Sequence, residues 1–249
     1  MSDQTPQTLE IPPRSDARLS RPLRREDFTA ERARRIAEEV LKRGATPLMS
    51  EEARKASLSA IRAAVQPGTD VWVFGYGSLM WNPAINVKES RRAHVRGYHR
   101  TFCLTMSAGR GSIEQPGLML GIDRGGSCAG IAHGVAAGEV ESELAILWYR
   151  EMLSGAYEPR WVNAEIDGLG RQRVLAFVVN RSHPRYERTL SEETTATRIA
   201  RAEGFLGTNR DYLFRTVAHL AEKGLNDAPL ARLAERVAQL VAGSTSEGV

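Results

Sequence analysis

From Thr69 onward the chain alternates between two hydrophobic rhythms. Short runs rich in β-branched and aromatic residues, bounded by Gly, Pro, Asn or Asp, predict strands over residues 71–76, 94–106 (interrupted near Gly97), 118–123, 130–136, 161–166 and 173–179. Apolar residues recurring at three- and four-residue intervals predict helices over 141–153, 192–202, 210–222 and 228–242. The strands come mostly in succession, one helix is inserted among them, and the other helices gather at the C-terminal end. That order argues for an α+β fold on a small mixed or antiparallel β-barrel with flanking helices, and against a doubly wound sheet. No internal repeat is visible, and the Gly125-Gly126 pair reads as a turn.

Residues 1–68 read differently. They are rich in Arg and Glu, carry Phe28 as their only aromatic residue and end in the breaker Gln66-Pro67-Gly68. We take them as a partly helical N-terminal extension of a domain spanning 69–249, with one helix over 29–43 that places Ile36, Val40 and Leu41 on one side and a second over 50–64. The stretch from Arg14 to Arg25 holds five arginines against one acid, which reads first as a solvated tail and only second as a dock for an acidic partner or an anionic surface. On this reading, removing residues 1–68 should leave the chemistry of the rest largely intact.

The apolar run Val71-Trp72-Val73-Phe74 passes directly into Gly75-Tyr76-Gly77-Ser78-Leu79-Met80. Glycines at a strand end open dihedrals closed to other residues and let the backbone approach a ligand, so the loop's amides become candidate binders of a carboxylate or a developing oxyanion. A tight turn after a core strand fits the same spacing. A dinucleotide fingerprint would need glycine where Met80 stands, and a phosphate loop would need Gly-Lys-Ser/Thr. A nucleophile elbow would need glycines two positions either side of Ser78, where Tyr76 and Met80 stand; Ser78 therefore reads as a hydrogen-bonding loop residue.

Composition narrows the class. With 249 residues, 42% hydrophobic and 26% charged, the chain has the profile of an ordinary globular protein, and no apolar run approaches the roughly 20 residues of a membrane span. Met1–Glu10 is polar and contains acids, unlike a secretory signal or a transit peptide, so a cytoplasmic location is expected. Cys103 and Cys128 make no Cys-x-x-Cys pair, and His94, His99, His133, His183 and His219 are scattered, so neither a disulfide framework nor a metal site is predicted. The net charge of +4 is small against 34 basic and 30 acidic residues, and no nucleic-acid partner is expected.

One position in the helix over 141–153 breaks its own pattern. Leu144, Leu147, Trp148 and Glu151 fall at the i, i+3, i+4, i+7 spacing of one helical face, so a carboxylate stands where a leucine is expected. A covered carboxylate must be hydrogen-bonded, paired with a base or shifted toward neutrality, each of which suits a general acid or base. The competing reading is that the helix frays before Gly155 and releases Glu151 into solvent beside Arg150.

These features occur together in a known family. The segments Val73 to Pro83, Gly109-Arg110-Gly111 with Pro116-Gly117, Trp148-Tyr149-Arg150-Glu151-Met152 and Gly207-Thr208-Asn209-Arg210-Asp211-Tyr212-Leu213, in that order over about residues 70–240, resemble the ChaC family of γ-glutamylcyclotransferases, in particular its bacterial branch. The resemblance implies a six- or seven-stranded mixed barrel and an enzyme that cleaves glutathione to 5-oxoproline and cysteinylglycine without a cofactor. It implies that Glu151 is the catalytic glutamate and that Tyr76, Gly77, Ser78 and Leu79 form the substrate loop, with Asn209 and Tyr212 as further substrate contacts. Animal members have a shorter segment between the glutamate and the next glycine-tyrosine pair, whereas Met152 to Tyr157 intervenes here and leaves Tyr157 without an assigned role. Two other functions stay open: a non-catalytic regulator or binding module of a cation transporter, and a cyclotransferase for another γ-glutamyl amine. The oligomeric state is not legible.

Overall fold

A computed structural model of the chain describes residues 24–42 and 48–246. Most of the arginine-rich stretch, and the side chains of Ile36, Val40 and Leu41, lie outside what is described.

Five strands close into a barrel in the order β1 (Val71–Gly75), β3 (Gly117–Val135), β2 (Glu89–Met106), β4 (Tyr157–Ile166), β5 (Gly170–Val179). All neighbours are antiparallel except β1 and β5, whose short parallel pairing of Trp72 with Val174 and Val73 with Leu175 completes the ring. The barrel has five strands rather than six or seven because β2 and β3 are unusually long and continuous. The predicted strands over 118–123 and 130–136 are one strand, and Gly125-Gly126 is a bulge within it, not a turn. At the bulge the register shifts between Arg96 and Tyr98, and Gly97, Gly125 and Gly126 all take positive φ, a conformation that other residues adopt only under strain.

Helices cover two sides. α3 (Val140–Glu151) lays Leu144, Leu147 and Trp148 against Val71, Val73 and Phe177, and Ile61 of α2 (Glu51–Ala63) enters the same cluster. α4 (Glu192–Arg201), α5 (Asn209–Glu222) and α6 (Ala228–Ser246) pack on Leu118 and Leu120 of β3 through Ile199, Leu213, Leu233 and Val237. Ser50, Ser191 and Thr208 start α2, α4 and α5 as side-chain N-caps, accepting from the amides of Ala53, Thr194 and Asp211. Among the described residues no helix is long and apolar enough to cross a membrane.

The segment ahead of the barrel is more than an appendage. Trp148 Nε1 donates to Ser57 Oγ at 3.3 Å, Arg62 Nη2 to the Glu141 carbonyl at 2.6 Å, and the Met49 amide to the Leu153 carbonyl at 2.9 Å. A break at residue 68 would therefore strip a layer from α3.

Candidate active site

β1 delivers the glycine loop to the rim of the barrel, where Ser78–Met80 form a single 3-10 turn. Neither Gly75 nor Gly77 has a positive φ, and both glycines supply room. A Cβ on Gly75 would stand 3.1 Å from the Leu79 backbone, and one on Gly77 would stand 2.8 Å from the Tyr212 hydroxyl. The amides of Gly77, Ser78 and Leu79 lead into the turn, where a helix offers its first N–H groups no internal partner. Behind the turn, buried His133 reaches the Leu79 carbonyl with Nε2 at 2.9 Å and Ser90 Oγ with Nδ1 at 2.8 Å. A carbonyl can only accept, so Nε2 carries the proton and Nδ1 accepts from the serine.

α3 ends at Glu151, as Gly155 suggested, yet the carboxylate stays covered: its side chain is 15% exposed and that of Arg150 is 9% exposed. Arg150 is not a solvent companion. Its Nε donates to Glu151 Oε1 at 2.7 Å, its Nη2 to Ser78 Oγ at 2.8 Å, and its Nη1 to the Asn82 carbonyl. One guanidinium thus ties the helix carboxylate to the loop, and Ser78 is held by a cation instead of activated by a base.

Three tyrosines complete the wall. Tyr76 donates its hydroxyl to the Phe177 carbonyl at 2.6 Å, and Tyr157 donates to the Leu120 carbonyl at 2.6 Å. Burial foremost, then the neighbouring phenols and the nearby Glu151 charge, hold the phenols of Tyr76 and Tyr157 well above the usual range. Burial and then the Glu151 charge push Tyr212 to about 12. All three are neutral donors at physiological pH, and the field of Glu151 reaches each of them. The Arg110 guanidinium lies 5.5 Å from the Tyr212 ring centre and donates to the Thr208 carbonyl at 3.0 Å.

The structure thus gathers Glu151, Tyr76, Gly77, Ser78, Leu79 and Tyr212 and adds Arg150, Tyr157 and His133. Asn209 has partners of its own. It is fully buried, its Oδ1 accepts from the Leu118 amide at 2.7 Å and its Nδ2 donates to the Leu118 carbonyl at 2.8 Å. Its carboxamide is engaged with β3, where it secures α5 to the barrel. Tyr157 opens β4 directly after the bend at Gly155, a position that a strand-start reading would have found. His133 carried no such signal, being one of several isolated histidines.

A glycine-rich loop and a covered carboxylate are thus joined by a cation on a closed mixed barrel. A solved yeast structure described as a γ-glutamyl cyclotransferase specific to glutathione shares that fold, with a TM-score of 0.63 at 17% identity over 69% of this chain and 96% of that one. The model of the family described as ChaC-like protein matches residues 71–240, and the chain belongs to that family. The Escherichia coli (strain K12) protein named glutathione-specific gamma-glutamylcyclotransferase is 41% identical over 202 residues, 81% of this chain and 87% of its own length. The Mus musculus glutathione-specific gamma-glutamylcyclotransferase 1 is 35% identical over 169 residues, 64% of this chain and 76% of its own.

Proposed function

We propose that the protein is a γ-glutamylcyclotransferase that degrades glutathione to 5-oxoproline and cysteinylglycine, with Glu151 as its general base and acid. The observation that carries this reading is the placement of the Glu151 carboxylate, fixed through Arg150 to the Ser78 hydroxyl of the glycine loop. The substrate holds nucleophile and electrophile in one molecule. Folding the γ-glutamyl chain brings its α-amine onto the γ-carbonyl carbon, and the enzyme's task is to hold that fold and move protons from the α-nitrogen to the leaving nitrogen.

In the proposed sequence, Oε1 of Glu151 is occupied by Arg150 and its second oxygen takes a proton from the α-ammonium. The freed amine attacks the γ-carbonyl, a carbon–nitrogen bond forms, and the carbonyl oxygen becomes an oxyanion. Amides of Gly77, Ser78 and Leu79 receive that oxyanion or the α-carboxylate, and the neutral Tyr212 phenol donates beside them. The tetrahedral centre then collapses: the bond to the cysteinyl nitrogen breaks, Glu151 returns its proton to that nitrogen, and the second proton of the ring nitrogen follows through the same carboxylate, so that the dipeptide leaves as an ammonium. The five-membered lactam leaves as 5-oxoproline. Proton inventory and charge close without an acyl-enzyme or a redox partner. Tyr76 and Tyr157 serve as walls, and Asn209 acts on the site through the β3 backbone. We place the enzyme in the cytoplasm, where the buried thiols of Cys103 and Cys128 would stay reduced.

The test is Glu151→Gln, which keeps size and most packing but cannot take the proton. Turnover of glutathione, followed as 5-oxoproline by mass detection, should fall by roughly 10²-fold or more with little change in melting temperature. A glutamine variant that releases 5-oxoproline at a near-normal rate rejects the role. Parallel assays with γ-glutamyl-alanine decide whether glutathione or another γ-glutamyl compound is preferred.

A further inference from the structure

Ahead of the residues that match the family, a short piece of chain reaches the site. Arg25–Asp27 form a 3-10 turn, closed locally by Asp27, which accepts from the Arg24 amide at 2.7 Å and from Arg32 Nη1 at 2.6 Å. The turn is anchored on α3. Glu143, whose side chain is wholly buried, accepts from Arg25 Nη2 at 2.6 Å, from Arg25 Nη1, from the Asn86 amide at 2.8 Å and from Ser142 Oγ at 3.0 Å. A bidentate guanidinium–carboxylate pair of this kind fixes orientation as well as position.

Directly after the turn comes Phe28. The Arg150 guanidinium carbon lies 5.4 Å from the centre of its ring. An aromatic face attracts a cation and removes water from one side of it, and the attraction strengthens as the site is desolvated. Arg150 is the group that joins Glu151 to Ser78 and Asn82, so whatever holds its guanidinium holds the carboxylate and the loop in register.

We propose that Phe28 is a positioning residue for cyclotransfer: anchored through the Arg25–Glu143 pair, it stacks on Arg150 and fixes the guanidinium that connects Glu151 to the substrate loop. This rests on the reading of Glu151 as the general base. Phe28 touches no reacting atom and acts through Arg150. Its loss slackens proton transfer more than ground-state binding, so the effect falls on kcat.

The experiment compares Phe28→Ala, Phe28→Leu and Phe28→Trp in the full chain, measuring kcat and KM for glutathione and the melting temperature. The alanine and leucine variants should lose about 3- to 30-fold in kcat, the span of a partly desolvated cation–π contact, with KM within about twofold. Melting should change little, and tryptophan should restore most of the rate. Wild-type kcat in the alanine variant overturns the proposal. Wild-type kcat in the leucine variant alone overturns it too, because bulk without a π face would then suffice. A loss of rate that tracks a loss of melting temperature, with no rescue by tryptophan, reduces Phe28 to a structural residue and also overturns it. A wild-type chain that releases no 5-oxoproline overturns the functional reading and the positioning role together, an outcome distinct from an active wild type indifferent to residue 28.

Discussion

His133 offers a quantitative test of the loop's support. It is 3% exposed, and as the neutral ring it is satisfied at both nitrogens, with Nε2 donating to Leu79 and Nδ1 accepting from Ser90. Burial first, with the positive charges of Lys223 and Arg150 adding to it against the bond to Leu79, pushes its pKa down from 6.5 to about 4. The unfolded chain keeps the ordinary value. Between pH 6.5 and about 4 the unfolded state therefore holds a proton that the folded state lacks, and stability falls as the pH drops through that window. At 1.36 kcal/mol per unit the loss amounts to about 3 kcal/mol. For a chain of this size that corresponds to roughly 10 °C in melting temperature. His133→Gln keeps an N–H donor near the Nε2 position and removes the titration. Thermal melting of both proteins from pH 8 to pH 4 should give curves that converge at high pH and separate below 6.5, the wild type falling faster. Carboxylates held low in the folded state, such as Glu143 beside Arg25 and Glu187 beside Thr105, lose their contribution at still lower pH and do so in both proteins. Parallel curves across the window would show that His133 is not a buried neutral ring, and the account of how the Leu79 carbonyl is held would fall with it.

Two further substitutions probe the scaffold of the site. Asn209→Ala should cost about 2–5 kcal/mol by leaving the Leu118 amide and carbonyl unpaired in the interior; a urea midpoint corresponding to less than 1 kcal/mol of loss would contradict the clamp role. Gly77→Ala places a Cβ 2.8 Å from the Tyr212 hydroxyl. Because the tyrosine ring is packed and the loop lies at the site, kcat/KM should drop at least about tenfold, and wild-type kinetics would show that the loop yields freely.

Much of this was legible from the chain, and the gaps have specific causes. The run into Gly75 predicted β1 and its loop because burial on both faces leaves a continuous apolar signal. The stripe through Leu144, Leu147 and Trp148 located Glu151 because helical periodicity reports which face is covered. It misplaced Arg150 for the same reason: one residue from Glu151 is about 100° round the helix, and the partners that cover that side come from distant loops. β3 was divided in two because residues 124–127 are exposed, although their neighbours continue the ladder; hydrophobic pattern records burial, whereas strand continuity is set by backbone pairing. Asn209 was located by its motif, but a motif fixes identity and not the direction of a carboxamide. α2 read as part of an appendage because its apolar contacts are few, Ile61 buried and Leu58 partly so, and its further ties to α3 are made by Ser57 and Arg62.

The seam between β1 and β5 carries a consequence for how this scaffold can change. Backbone pairing there ends at Val73 with Leu175, two residues before β1 itself ends at Gly75. Two residues further along β5, Phe177 offers its carbonyl to the phenol of Tyr76. A side chain of the glycine loop therefore acts as the hasp of the barrel wall, and wall and loop share that fastening. Altering the loop at this position also unlatches the cylinder, so loop and architecture are inherited as one trait.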